Sequence, residues 1–280
     1  MPELPEVEYY RKYFNAAVGT QRITQVVVRD DYVIKQVRDE HRGPKVSDAG
    51  LSEAFCEAVR AQRVTGTYRQ GKYLFVDFDG GDSCLLHFGM TGDLALYSDQ
   101  DQRPRHERLV FCLEDGNYLS YIDPRKFGKI RYLSSRQAYC EAIGLGPDAL
   151  VIEERAWLEQ AKNRKVAIKA FLLNQHVAAG VGNLYADEVL YQTRIDPRST
   201  LAAVPETKLR RVYRSMQVIL QEACERGAQY KQYPDDWFWQ WRSKMEIPRR
   251  GRVERGVVAG RTTYWVSPWQ RLYTLGEDAV

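Results

Sequence analysis

Met1-Pro-Glu-Leu-Pro-Glu-Val-Glu8 opens the chain, and it carries both a structural and a chemical reading. Structurally, Pro5 and the acids Glu3, Glu6 and Glu8 suit the first turn of a helix, where proline's fixed φ does no harm and the dipole favours anions. Leu4, Val7, Tyr10, Phe14 and Ala17 recur at helical spacing, so the chain begins with a helix. Chemically, removal of Met1 would leave Pro2 as a free secondary amine with Glu3 and Glu6 beside it. An amine that attacks a carbonyl-like carbon forms a Schiff base and splits one hard displacement into two easier steps. Proline's nitrogen already bears two carbons, so its adduct is a permanently charged iminium, an electron sink for later elimination. An α-amino group ordinarily titrates at about 7.7–8, which leaves a workable neutral fraction near pH 7. A retained Met1 would hold that nitrogen in an amide and abolish its nucleophilicity.

Composition narrows the class. The 280 residues, 44% of them hydrophobic, suffice for two modest cores. No run approaches the ~18–20 apolar residues of a membrane span, and the opening lacks a signal peptide's apolar stretch. A monomeric intracellular protein that does not engage membranes is expected, cytoplasmic and nucleoid-associated if bacterial. The five cysteines, Cys56, Cys84, Cys112, Cys140 and Cys224, are odd in number and far apart. They suggest reduced core thiols rather than disulfides or a CxxC metal site. Net charge is only +4, yet residues 204–271 hold 14 Lys/Arg against 7 Asp/Glu. A basic C-terminal portion suits a polyanion such as nucleic acid.

Along the chain, segments 22–35, 72–78, 84–88, 108–113, 118–122 and 129–133 are rich in Val, Tyr, Leu and Phe and read as strands. Gly80-Gly81 and Asp115-Gly116 supply turns, a spacing that suggests an antiparallel sandwich or barrel. Residues 134–148, with their Gly-Leu-Gly-Pro stretch, read as a linker. Helical periodicity then covers 153–163, 165–173, 183–193 and 206–226. Strands at 252–255 and 261–266 flank Gly256-Val-Val-Ala-Gly260, read as a glycine-bounded hairpin turn. The expected architecture is α+β: an N-terminal helix with an antiparallel β-sandwich over 1–134, a linker at 135–151, a helical domain over 152–247 and a closing hairpin over 248–280.

Several short stretches carry chemistry. His87-Phe-Gly-Met-Thr-Gly92 places flexible Met90 between glycines, and Asp123-Pro-Arg-Lys-Phe-Gly128 offers Arg125 and Phe127 in a second loop. Taken singly, Met90 and Phe127 read as core residues under turns. Lys72 stands at a strand entrance within Gln70-Gly-Lys-Tyr-Leu74. In Asn174-Gln-His-Val-Ala-Ala-Gly-Val-Gly-Asn-Leu-Tyr-Ala186, Gly180 and Gly182 would allow close backbone approach to a phosphate. Asn183 lies at a helix start, as a simple cap or beside free N–H groups that attract anions. Tyr230-Lys-Gln-Tyr-Pro-Asp-Asp-Trp-Phe-Trp-Gln-Trp241 could stack on bases, or pack the helical domain against the hairpin.

Together these motifs, in order from start to end, resemble the formamidopyrimidine-DNA glycosylases, bifunctional base-excision enzymes related to endonuclease VIII. The opening is similar to the former branch. The resemblance implies Pro2 as nucleophile at the sugar's anomeric carbon, Glu3 as acid–base group at the deoxyribose and Glu6 in support. It implies Lys72 on phosphate and in proton transfer, with His87 on the same backbone. Excising a base requires rotating it out of the duplex, and the space left is filled by inserted side chains. Met90, Arg125 and Phe127 take that role by resemblance, Arg125 pairing with the orphaned base. Residues 174–186 resemble the family's helix–two-turn–helix, with Asn183 and, more weakly, Lys169 on phosphate. Many relatives close with four cysteines around zinc, whereas this chain has none beyond Cys224. Gly260-Arg-Thr-Thr-Tyr-Trp265 then resembles a zincless finger whose Arg261 reaches the lesion phosphate, hairpin hydrogen bonding and packing standing in for the metal. The partner implied is damaged double-stranded DNA, with no metal or organic cofactor. The substrates implied are oxidised bases, formamidopyrimidines and 8-oxoguanine, removed before β,δ-elimination. The alternatives are an endonuclease VIII-like preference for oxidised pyrimidines and, were Met1 retained, a non-catalytic lesion binder.

Overall fold

The computed structural model describes residues 2–34 and 48–276. Its chain divides into two compact units, one built on residues 6–144 with Pro2, the other on residues from 145 onward with residues 3–5. Met1, on which the amide question turns, lies outside the described residues.

Helix α1 (Leu4–Val18) gives its first two residues to the second unit and the rest to the first. The first unit continues with β1 (Ile23–Val28), α2 (Asp48–Val59), β2 (Val64–Gln70), β3 (Tyr73–Phe78), β4 (Ser83–His87), β5 (Asp93–Tyr97), β6 (Glu107–Leu113), β7 (Tyr118–Ile122), β8 (Lys129–Leu133) and α3 (Arg136–Ala142). The strands form two antiparallel four-stranded sheets, ordered β1-β6-β7-β5 and β2-β3-β4-β8. Val7 and Phe14 of α1 share one core with Leu74 and Leu86 of one sheet and Leu109, Phe111 and Leu119 of the other. Each such side chain stabilises the fold by about 1.5–3 kcal/mol on burial.

The expected α+β class and sandwich are present, but several elements differ from the sequence reading. The expected strand 22–35 stops at Val28, because Asp30 accepts from Tyr32 N (3.1 Å) and starts a 3-10 turn, Asp31–Val33; Lys35 lies outside the described residues. Helix α2 and strands β2 and β5 were not expected. Strand β2 lies at a sheet edge and buries only Val64, so it lacks the alternation that marks a strand. The segment read as a linker contains α3, capped by Ser135 Oγ accepting from Ala138 N (3.2 Å).

The second unit comprises α4 (Glu154–Ala161), α5 (Ile168–Leu172), α6 (Asn183–Thr193), α7 (Glu206–Glu225) and a sheet of β9 (Glu246–Ile247), β10 (Gly251–Val258) and β11 (Arg261–Pro268) in the order β11-β10-β9. Leu209, Val212, Met216, Ile219, Leu220 and Ala223 form the buried stripe of α7. They share a core with Trp157, Phe171, Tyr185, Val189 and Leu4. The hairpin turn is tighter than residues 256–260: it is Ala259-Gly260, both at positive φ. Gly256 instead lies within β10, where an added Cβ would come within 2.9 Å of the Trp265 ring. Among the described residues no helix is long and apolar enough to cross a membrane.

Candidate active site and nucleic-acid interface

The Glu3 carboxylate is 3% exposed and accepts from Leu184 N (2.8 Å) and Tyr185 N (3.4 Å) at the start of α6. Helix α6 has Gly182 as its N-cap residue, with no side-chain cap of its own. Glu3 therefore supplies from a distant point in sequence the anion that the first-turn N–H groups and the dipole demand. Leu4 N donates to Gly180 O (3.1 Å), which locks the same junction. The two glycines have a different purpose from the one their sequence suggested. A Cβ at Gly180 would meet the Leu4 side chain at 2.5 Å, and one at Gly182 would meet the Glu3 carboxyl carbon at 2.2 Å. They are bare to admit residues 3 and 4, and the N–H groups expected to hold a phosphate already hold Glu3. Pro2, next to it, is half-buried, as are Glu6 and Lys72; Lys72 follows Gly71 in the turn joining β2 and β3.

In the first unit, two loops are fused by one buried acid. Asp123, fully buried, accepts from Thr91 Oγ1 (2.7 Å), Arg125 N (3.2 Å) and Gly128 N (2.7 Å). A Cβ on Gly89 would fall 2.4 Å from the Phe127 backbone, so the loops meet backbone to backbone. From this support Met90 (42% exposed) and Phe127 (50% exposed) project into solvent, and the Arg125 guanidinium lies 4.8 Å from the Phe127 ring centre. The core reading of Met90 and Phe127 is thereby excluded; Phe88, 1% exposed, is the core residue of this region. Nothing in the sequence around Asp123 marks it as the acid that joins the two loops. His87 Nδ1 accepts from Gly89 N (3.2 Å). Burial, aided by the charges of Lys129 and Lys72, pushes its pKa down to about 4. His87 is therefore neutral near pH 7, with Nδ1 accepting and Nε2 left as the N–H donor.

In the second unit, Asn183 is the first helical residue of α6, and its Nδ2 donates to Thr262 O of β11 (2.9 Å). Arg261 is exposed at the start of that strand. Lys169, expected on phosphate, is fully buried, with Nζ bound to Asp187 Oδ1 (2.6 Å) and Thr263 Oγ1 (2.7 Å). Its ammonium is enclosed by these partners rather than displayed at the surface. Asp187 was missed; the signal was two acids, Asp187 and Glu188, inside the otherwise apolar Leu184–Tyr191 run. The centre of the aromatic segment packs into the second unit. Trp237 and Phe238 are buried, and Phe238 lies 4.7 Å from Tyr191 in a parallel stack that joins Ile247 and Val266 in a small core. Among the described residues no three His, Cys, Asp or Glu side chains gather as a metal-binding group.

Comparison with known proteins places this geometry. Residues 1–130 match the family model described as formamidopyrimidine-DNA glycosylase N-terminal domain, and residues 143–234 the one described as formamidopyrimidine-DNA glycosylase H2TH domain. The chain is 32% identical over 294 residues to the formamidopyrimidine-DNA glycosylase of Heliobacterium modesticaldum, covering 97% of this chain and 100% of that protein. With that of Arabidopsis thaliana it shares 30% identity over 301 residues, 100% of this chain and 73% of the relative. In structure it is similar to Lactococcus lactis formamidopyrimidine-DNA glycosylase bound non-covalently to DNA containing an abasic site (TM-score 0.83, 24% identity, 96% of this chain and 99% of that chain). The chain belongs to the formamidopyrimidine-DNA glycosylase family, enzymes of DNA repair that act on damaged DNA.

Two measurements probe this geometry. Gly182→Ala must displace the Glu3 carboxylate and forfeit its charge-assisted bonds, worth about 1.5–3 kcal/mol, so turnover should fall about tenfold or more. Wild-type turnover and melting temperature in that variant would contradict the assignment. For His87, a folded pKa below the ordinary value means that the unfolded state binds the proton first. Its contribution to stability is complete above about pH 6.5 and is lost as pH falls towards 4. Side-chain NMR should show a neutral imidazole down to pH 5, and a midpoint near 6.5 would refute the burial argument.

Proposed function

We propose that the protein is a bifunctional DNA glycosylase and abasic-site lyase that excises oxidised purines, formamidopyrimidines and 8-oxoguanine, from duplex DNA. The observation that carries this reading is the Glu3 carboxylate held on the N-terminus of α6 directly after Pro2. A general acid–base group is useful when its position is fixed before substrate arrives, and here the covalent neighbour of that group is the candidate nucleophile. Names also support it, since the relatives that match over nearly all of this chain are called formamidopyrimidine-DNA glycosylases.

With Met1 removed, the neutral Pro2 nitrogen attacks C1′ of the damaged nucleotide and forms the N–C1′ bond. The Glu3 carboxylate, protonated by the prolyl ammonium as that amine becomes neutral, passes this proton to the ring oxygen, the C1′–O4′ bond opens, and the base departs with the proton that the nitrogen sheds as the iminium forms. Loss of a C2′ proton into that electron sink expels the 3′ phosphate, and a second elimination expels the 5′ phosphate. Glu6 supports the amine's surroundings. Lys72, Asn183 and Arg261 hold phosphates, Lys72 also assisting proton transfer, and His87 contributes a neutral donor. Met90 and Arg125 enter the space the base vacates, with Phe127 wedged beside them. Residues 1–134 act as the catalytic sandwich, 152–247 as the helical DNA-binding domain and 248–280 as the finger, all on double-stranded DNA.

Borohydride reduction in the presence of lesion duplexes tests this directly. Wild-type protein should become covalently attached to DNA containing oxidised guanine or formamidopyrimidine, whereas Pro2→Gly should keep its affinity and lose most of the adduct. No adduct on any lesion would mean a binder rather than an enzyme, and adducts on oxidised pyrimidines alone would reassign the substrate. Met90→Ala, Arg125→Ala and Phe127→Ala each remove a stacking or filling group worth about 1–3 kcal/mol. They should slow excision from duplex DNA but spare cleavage of an abasic site in single strands; equal losses on both substrates would refute the wedge role.

A further inference from the structure

The hairpin β10–β11 carries Arg261 but no cysteine, and a two-stranded hairpin by itself is at best marginally stable in water. Something in the second unit must hold it in register. Beyond the small core of Tyr191, Phe238, Ile247 and Val266, the side chains that hold its Arg261 end centre on one buried carboxylate.

Asp187 projects from α6 with its side chain fully buried. Oδ1 accepts from Lys169 Nζ (2.6 Å), and Oδ2 accepts from Arg242 Nη2 (3.0 Å) and from the Tyr264 backbone N–H (3.3 Å). Lys169 Nζ also donates to Thr263 Oγ1 (2.7 Å), and that hydroxyl donates back to Arg261 O (2.9 Å). One residue away, Asn183 Nδ2 holds Thr262 O (2.9 Å), and the Arg242 guanidinium covers the Tyr264 ring at 4.8 Å. Residues 262–264 are thus each gripped by side chains from α5, α6 or the 238–242 segment, and Thr263 passes the hold on to the Arg261 carbonyl, at the place where Arg261 begins the strand. The charges balance within this cluster: Asp187 and Glu3 against Lys169 and Arg242, with Glu3 and Asp187 both attracting Lys169.

We propose that Asp187 is a positioning residue for Arg261: its buried ion pairs with Lys169 and Arg242 fix the start of β11 on α6 and so do the anchoring for which a metal centre would otherwise be needed. The proposal rests on the reading of Arg261 as a phosphate contact. A buried ion pair contributes little net stability against an apolar pair of the same shape, but it admits only one arrangement of its donors, which is what register requires. Burial opposes the ionised forms of both partners and their mutual attraction opposes that penalty, so removing one partner leaves the other uncompensated. Asp187 touches neither sugar nor phosphate in this account; it acts only through the strand that bears Arg261.

The test uses the full-length protein and Asp187→Asn. Amide hydrogen exchange across residues 251–268 should accelerate by about tenfold or more, while peptides of the first-unit sandwich stay unchanged. Affinity for a duplex carrying a stable abasic-site analogue should fall by the same factor as in Arg261→Ala, the double variant should show no further loss, and the salt dependence should flatten equally in all three. If Asp187→Asn unfolds the second unit, Lys169→Met/Asp187→Asn/Arg242→Met removes all three charges at similar volume and should fold. It should still loosen residues 261–264 and lower affinity. Unchanged exchange in the hairpin of a folded variant, or additive losses in the double variant, would overturn the proposal. The exchange arm reads the anchor alone and Arg261→Ala reads the phosphate contact alone, so failure of one is distinguishable from failure of the other.

Discussion

The capture of the Glu3 carboxylate by the first-turn N–H groups of α6 is the constraint on which the rest depends. A helix start presents unsatisfied donors and a partial positive charge, and Gly182 offers no side chain to meet them. Glu3 meets them from the opposite end of the sequence. The carboxylate gains fixed orientation, the helix gains its cap, and the residue before Glu3 is delivered to one place. The junction tolerates no Cβ at Gly180 or Gly182 because Leu4 and Glu3 occupy that space. A stretch that looks like a flexible phosphate loop is in fact a socket.

The same device recurs in both units. A buried acid gathers several donors, and the functional group projects from the segment so fixed. Asp123 gathers Thr91, Arg125 N and Gly128 N beneath exposed Met90 and Phe127. Asp187 gathers Lys169, Arg242 and Tyr264 N beside Arg261. Glu188 accepts from Phe238 N (2.9 Å) and Trp239 N (3.0 Å), and burial raises its pKa to about 7. Buried polar groups are costly unless fully bonded. Each of these acids therefore permits one local arrangement, and beside Asp123 and Asp187 exposed side chains are positioned without themselves being buried.

Much of this was legible beforehand, for physical reasons. Helix α7 declared itself through its apolar stripe and the strands β3, β4, β7 and β8 through their Val, Leu, Tyr and Phe content between turn signals, and the glycine-flanked Met90 loop was visible as a loop. What could not be read was partnership at long range. Gly182 next to Asn183 reads as a phosphate turn because nothing in the local sequence says that residue 3 fills it. Lys169 reads as a surface cation because its partner lies 18 residues away on another helix. Strand β2 was hidden because an edge strand with one buried residue has no pattern to find. The roles of Asp123 and Asp187 are likewise contact properties: an acid in an apolar run hints at burial, but its donors come from other segments.

The most direct measurement of the central claim is the chemical identity of the protein atom joined to the sugar. After borohydride reduction of the complex with lesion DNA and digestion to peptides, mass spectrometry should place the deoxyribose remnant on the nitrogen of Pro2. The modified peptide should begin at residue 2 and include Glu3. A remnant on a lysine such as Lys72, or a modified peptide that still begins with Met1, would contradict the account.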